Sequence, residues 1–107
     1  MNLGDAKSED LVKVSFEKKI INHGTNDTTI TINSEELHVW DAVDSLNITL
    51  SNPNSYEEYM FEFKSGENPT DLVVNGVKWI STPSDIIEAN KTYQVSVINK
   101  IGIIGGV

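Results

Sequence analysis

From Leu11 onward the chain repeatedly alternates apolar and polar residues. Val12, Val14 and Phe16 are separated by Lys13 and Ser15, and Ile30 and Ile32 are flanked by threonines. A period of two residues is that of a strand with one face in a core and the other in water. The same period returns in Leu37 to Ala42, with His38 and Trp40 on one side and Leu37 and Val39 on the other, and again in Leu46, Ile48 and Leu50. It is strongest in Tyr56 to Lys64, where Tyr59, Phe61 and Phe63 share a face opposite Glu58, Glu62 and Lys64. Three aromatics on one face bury several hundred square ångströms together, which predicts a central strand. Tyr93, Val95 and Val97 alternate with Gln94 and Ser96, and Ile101 to Ile104 reads as a last strand.

Turn formers separate these runs. Asn22-His23-Gly24-Thr25-Asn26-Asp27, Asn52-Pro53-Asn54-Ser55 and Ser65-Gly66-Glu67-Asn68-Pro69 are dense in residues that favour turns or cannot extend a ladder. Asn75-Gly76 lies between short apolar pieces at 71–74 and 77–80, the sequence signal of a type I′ hairpin. Ser84 to Glu88 has room for one helical turn, and no long amphipathic helix is visible. No internal repeat is strong enough to suggest a solenoid. The pattern therefore predicts an all-β fold of seven to nine short strands, as a small antiparallel β-sandwich of jelly-roll or Ig-like type. Residues 1–10 read as a flexible lead-in and residues 11–107 as a single domain.

Composition narrows what such a domain does. With 107 residues there is room for one core. The absence of cysteine removes disulfides, thiolate metal sites and cysteine nucleophiles. The net charge is −8, and every basic residue is a lysine. An acidic chain without arginine is repelled by a phosphate backbone and by anionic lipid, so neither nucleic acid nor membrane is an expected partner. The polar start, without the apolar stretch of a secretory signal, predicts either a protein made and kept in a cytoplasm or one whose signal was removed before this numbering begins; a particle assembled in a cytoplasm fits the first.

Candidate chemistry is sparse. The two histidines, His23 and His38, lack HxH or HxxxH spacing, and no G-x-S-x-G elbow or Gly-rich phosphate loop occurs. Carboxylates such as Glu35, Glu36, Glu57, Glu58 and Glu62 occur as solvated pairs. Asp41, Asp44, Ser45 and Asn47, with Asn26-Asp27, are rich in oxygen, but the spacing is not that of a calcium loop, and these are ordinary turn residues. The N-x-[ST] triplets at Asn26, Asn47 and Asn90 follow from a composition rich in Asn and Thr. The expectation is a protein that is not an enzyme and needs no metal or cofactor. Exposed aromatics are the remaining binding candidates, and Trp40 and Tyr56 flank loops or oppose the apolar face.

One segment is similar to a known group. Glu58-Tyr59-Met60-Phe61-Glu62-Phe63-Lys64-Ser65-Gly66, Asn68-Pro69-Thr70-Asp71-Leu72, Val77-Lys78-Trp79 and Ile87-Glu88-Ala89-Asn90-Lys91-Thr92-Tyr93-Gln94-Val95-Ser96-Val97 follow in order. This order resembles a segment near the C-terminus of virion-associated proteins of tailed phages and prophages of low-GC Gram-positive bacteria. The similarity covers roughly residues 46–105. It implies a tail, fibre or head-decorating component, a homo-oligomer (a trimer by analogy) whose partners are other virion proteins. It implies no catalytic residue, and it makes Phe61, Phe63, Trp79 and Tyr93 framework positions. The alternative is an adhesin module that binds a host-surface glycan.

Overall fold

The computed structural model describes residues 18–107. The 1–10 lead-in and the strand expected around Val12, Val14 and Phe16 lie outside the described residues. Nine strands run as β1 (Lys19–Gly24), β2 (Thr29–Ile32), β3 (Glu36–Ala42), β4 (Ser45–Leu50), β5 (Tyr59–Lys64), β6 (Asp71–Val74), β7 (Lys78–Trp79), β8 (Thr92–Ile98) and β9 (Ile101–Gly106). A single helical turn, α1 (Pro83–Ile86), starts on a proline, whose fixed φ and missing N–H suit the first helical position. The all-β class is as the alternation predicts.

The antiparallel sandwich is not. Successive strands visit two sheets in turn, a six-stranded sheet ordered β1-β3-β5-β8-β9-β7 and a three-stranded sheet ordered β2-β4-β6. β1, β3 and β5 are parallel to one another, as are β2, β4 and β6. The chain winds as a β-solenoid, each turn laying one strand on each sheet. Parallel neighbours need a crossover connection, and here the strand on the opposite sheet is that crossover, so the turns stay short. Only at β8 does the winding stop: β8 runs antiparallel to both β5 and β9.

Winding puts like residues in rows. Ile30, Ile48 and Val74 align across the three-stranded sheet, as do Ile32 with Leu50 and Leu46 with Leu72. Its inward side chains are all aliphatic. The six-stranded sheet answers with Trp40, Tyr59, Phe61, Phe63 and Tyr93, all at most 3% exposed. Phe61 meets the Trp40 ring edge-on at 6.1 Å, and Phe63 stacks on Phe61 at 6.3 Å and on Tyr93 at 5.7 Å. β5, third of six in its sheet, is the central strand that its aromatics predict.

Buried side-chain polar atoms are all partnered among the described residues. Thr70 Oγ1 donates to the Val43 carbonyl at 2.8 Å, Ser65 Oγ donates to Thr70 Oγ1 at 2.9 Å, and the Thr70 amide donates back to Ser65 Oγ at 3.2 Å. This closed set joins the β3–β4 and β5–β6 connections. Tyr59 Oη both donates to the Asn52 carbonyl and accepts from the Asn52 amide, each at 2.9 Å, which ties down the start of the loop between β4 and β5.

Asn75-Gly76 does not close a hairpin. β6 and β7 belong to different sheets. The Val77 amide bonds to the Val74 carbonyl at 3.3 Å and Gly76 alone has positive φ, +78°, a type II-like corner that carries the chain between sheets. The two-residue hairpin lies instead at Asn99-Lys100, where φ is 50° and 65°, between the paired Ile98 and Ile101. Both central residues are left-handed, as type I′ demands, although the second is lysine. Lys100→Gly is therefore expected to stabilise the domain by about 0.5–1 kcal/mol, since glycine takes that φ without Cβ strain. Thermal unfolding of the two chains side by side measures it.

Candidate functional site

Two features of the six-stranded sheet stand out, one on its outer face and one at its edge.

On the outer face, strand pairing aligns Ile20 with Leu37, Leu37 with Met60, Met60 with Ser96, and Ser96 with Ile103. These residues alternate with the core residues of the same strands, so they point away from the interior. Ile20 is 61% and Ile103 57% exposed. Ile98 and Ile101, paired beside this row, are also exposed, and Ile80 follows β7 at the far edge with its amide on the Gly102 carbonyl. The apolar row thus crosses the sheet, a width of about 24 Å at the usual strand spacing. A polar pair interrupts it at Ser96, whose Oγ donates to Glu58 at 2.6 Å, and another lies beside it, where Gln94 Nε2 donates to Glu62 at 2.9 Å. Scattered exposed isoleucines are ordinary; these are aligned across one sheet face.

At the edge, β1 departs from regular pairing. Asn22 faces Val39 and Gly24 faces Trp40, so His23 is the extra residue of a β-bulge. Alternation along β1 puts the His23 ring on the inward face with Ile21, at 6% side-chain exposure, and the bulge lets Gly24 take the place opposite Trp40. Gly24, at φ +62°, makes the bend that follows. His23 stacks on Trp40 at 4.5 Å and lies parallel to His38 at 5.0 Å. Its Nε2 is 2.7 Å from His38 Nδ1 and its Nδ1 is 3.1 Å from Asp27 Oδ2. His38 Nε2 is 3.0 Å from Glu36 Oε1. The Trp40 indole N–H donates to the Asn26 carbonyl at 2.8 Å. The result is an unbroken line, Asp27–His23–His38–Glu36, across the two edge strands.

Burial lowers the pKa of His38 below its ordinary value of 6.5, the hydrogen bond to Glu36 opposes this, the nearby His23 adds to the lowering, and the Glu36 charge counters it. A histidine pKa lowered by folding means that the unfolded chain takes up the proton first. The His38 contribution to stability is therefore complete above pH 6.5 and fades as pH falls below it. Urea unfolding midpoints are expected to drop as pH falls below 6.5, and His38→Gln to flatten part of that drop.

The sequence candidates fall in different places. Trp40 is 2% exposed and Trp79 is half-buried, so neither offers an open ring face. Tyr56 is 78% exposed and stands apart in the loop before β5. Phe61, Phe63 and Tyr93 are buried core residues. Asp41 and Asp44 are exposed, and among the described residues no three His, Asp or Glu side chains converge on one point. Asn22-His23-Gly24, expected as a turn, is the end of β1. The His23–His38 contact has no signature in sequence spacing, because it depends on the parallel register between β1 and β3.

Among the described residues no helix is long and apolar enough to cross a membrane. Comparison with protein-family models, curated proteins and solved structures returned no match.

Proposed function

We propose that the chain is a non-enzymatic structural component of a tailed-phage particle, a capsid decoration, head fibre or tail protein, that acts by protein–protein contact. The observation that carries this reading is the row of apolar residues Ile20, Leu37, Met60 and Ile103, interrupted at Ser96, on the outer sheet face. On a chain of net charge −8, such a row is where a protein partner gains most from excluding water. The resemblance of residues 46–105 to virion-associated segments names the setting, a particle assembled in the bacterial cytoplasm with other virion proteins as partners. The chain itself assembles as a homo-oligomer. Among the described residues the glycan-binding alternative keeps only Tyr56 as a fully open aromatic.

Particles from a culture carrying the gene can be separated from free protein on a density gradient and probed with antibody to the chain. Co-migration with intact particles is the expected result, and recovery solely with free protein overturns the reading. In solution the sedimenting mass is expected to be a multiple of 11.8 kDa, with Met60→Lys shifting it toward the single chain.

A further inference from the structure

We propose that the His23–His38 pair is an acid-sensitive latch on edge strand β1, opened when the pair takes up a second proton. The argument is a count of hydrogens. The line Asp27–His23–His38–Glu36 contains three short contacts. Ionised carboxylates only accept, so the contacts at the two ends require N–H on His23 Nδ1 and on His38 Nε2. The central contact requires a hydrogen on one of the two facing nitrogens and a lone pair on the other. Three hydrogens on four ring nitrogens satisfy every contact, and the pair then carries one positive charge between two carboxylates.

The two ways of leaving that state are unequal. Removing a hydrogen sacrifices the bond to Asp27, whose side chain is 64% exposed and finds water instead. Adding one places N–H groups on both facing nitrogens, 2.7 Å apart, in rings with side-chain exposures of 6% and 4%. Neither group then has an acceptor, and two cationic rings lie against one another beside Trp40. A buried donor without a partner and a buried like-charge contact are both among the costly arrangements in a protein.

Each ring keeps a carboxylate on its outer nitrogen, Asp27 at 3.1 Å and Glu36 at 3.0 Å, so the cost falls on the inner contact, where nothing nearby offers the two facing N–H groups an acceptor. Lys19 stands opposite Glu36 in the β1–β3 register, β5 presents Phe61 beside His38, and the three-stranded sheet offers aliphatic side chains. Lys18 donates from Nζ to the Ser34 and Glu58 carbonyls. β1 has β3 as its one strand neighbour among the described residues. Detaching β1 separates the rings and leaves β3 to β9 paired, so the strand at the edge is the one that yields.

Amide exchange and imidazole nitrogen spectra of the full chain test this. After correction for intrinsic rates, β1 amides exchange at least about tenfold faster at pH 5 than at pH 7, while β5 and β8 do not. Glu36→Gln, which keeps an acceptor for His38 Nε2, retains this release. His23→Gln, which donates to His38 Nδ1 but cannot become a cation, abolishes it. Release that persists in His23→Gln, or that disappears in Glu36→Gln, overturns the proposal, as does a wild-type β1 that stays protected at pH 5. The nitrogen spectra decide independently of any variant. Three protonated ring nitrogens while β1 is closed and four once it is released are expected, and four with β1 still protected sinks the latch.

Discussion

Phe61→Ala is expected to destabilise the domain by about 3–5 kcal/mol, the range for truncating a fully buried aromatic. Phe61 has 0% exposure and lies in the middle strand of the aromatic layer. It takes the edge contact of Trp40 on one side and stacks on Phe63 on the other. Its register neighbours are His38 on β3 and Val95 on β8, so the void would open where the wound part of the sheet meets the hairpin. Collapse into that void is hindered because each neighbour is itself fixed by backbone pairing. A loss of this size is a large part of the 5–15 kcal/mol that typically separates folded from unfolded states. Urea titration followed by far-UV circular dichroism reads it, and a shift below about 1 kcal/mol would mean that the aromatic layer repacks freely.

The second large effect comes from adding atoms. Gly102 on β9 is buried, and a Cβ there would lie 2.8 Å from Cε3 and Cζ3 of Trp79 and 2.8 Å from Cγ1 of Val77. Gly102 also pairs with Trp79 across the β7–β9 ladder, so the indole cannot leave without disturbing that ladder. Gly102→Val is expected to cost about 3 kcal/mol, at the upper end of overpacking. The double variant with Trp79→Ala separates cause from coincidence. If the clash is with the indole, the penalty of Gly102→Val shrinks once the ring is gone. An undiminished penalty would place the conflict at Val77 Cγ1 or in the backbone.

The sequence was a good guide to strands and a poor guide to how they pair. Tyr59, Phe61 and Phe63, or Leu46, Ile48 and Leu50, alternate strictly, and each set is buried in the structure. Alternation with one wet face usually accompanies antiparallel sheets, because most parallel sheets are covered on both sides. A solenoid escapes that association: its strands are parallel, yet each sheet keeps an outer face in water. The repeat that would have given it away is blurred by unequal turns of the coil. Lys19 pairs with Glu36, a step of 17 residues, whereas Ser45 pairs with Asp71, a step of 26. The loop between β4 and β5 and the loop carrying Ser65 and Thr70 stretch the later turn. Asn75-Gly76 misled for a related reason, since the same glycine serves a sheet-to-sheet corner as well as a hairpin. The working hairpin used Lys100, a residue that carries no such signal.

The histidine line was legible only in part. His38 and Trp40 share the predicted face of one strand. His23 reaches them because β1 pairs in parallel with β3, Ile21 opposite His38, and composition or spacing within one segment does not encode the register between two. The outer apolar row has the same character. Ile20, Leu37, Met60 and Ile103 are far apart along the chain and meet only through four successive registers.

The antiparallel ribbon at Asn99-Lys100 bears on the order in which the chain acquires structure. Closing β8 on β9 brings together residues separated by a two-residue loop, whereas each parallel pairing must first close a loop of 17 residues or more. Short closures form fast and long ones slowly. The ribbon is thus the cheapest nucleus, and β5 can add to it before β3 and β1 follow, so that winding proceeds toward the N-terminus. A ribosome delivers these segments in the reverse sequence. The coil strands emerge first, without the template they dock on, and their exposed valines and isoleucines must wait for β8 and β9, which are made after them.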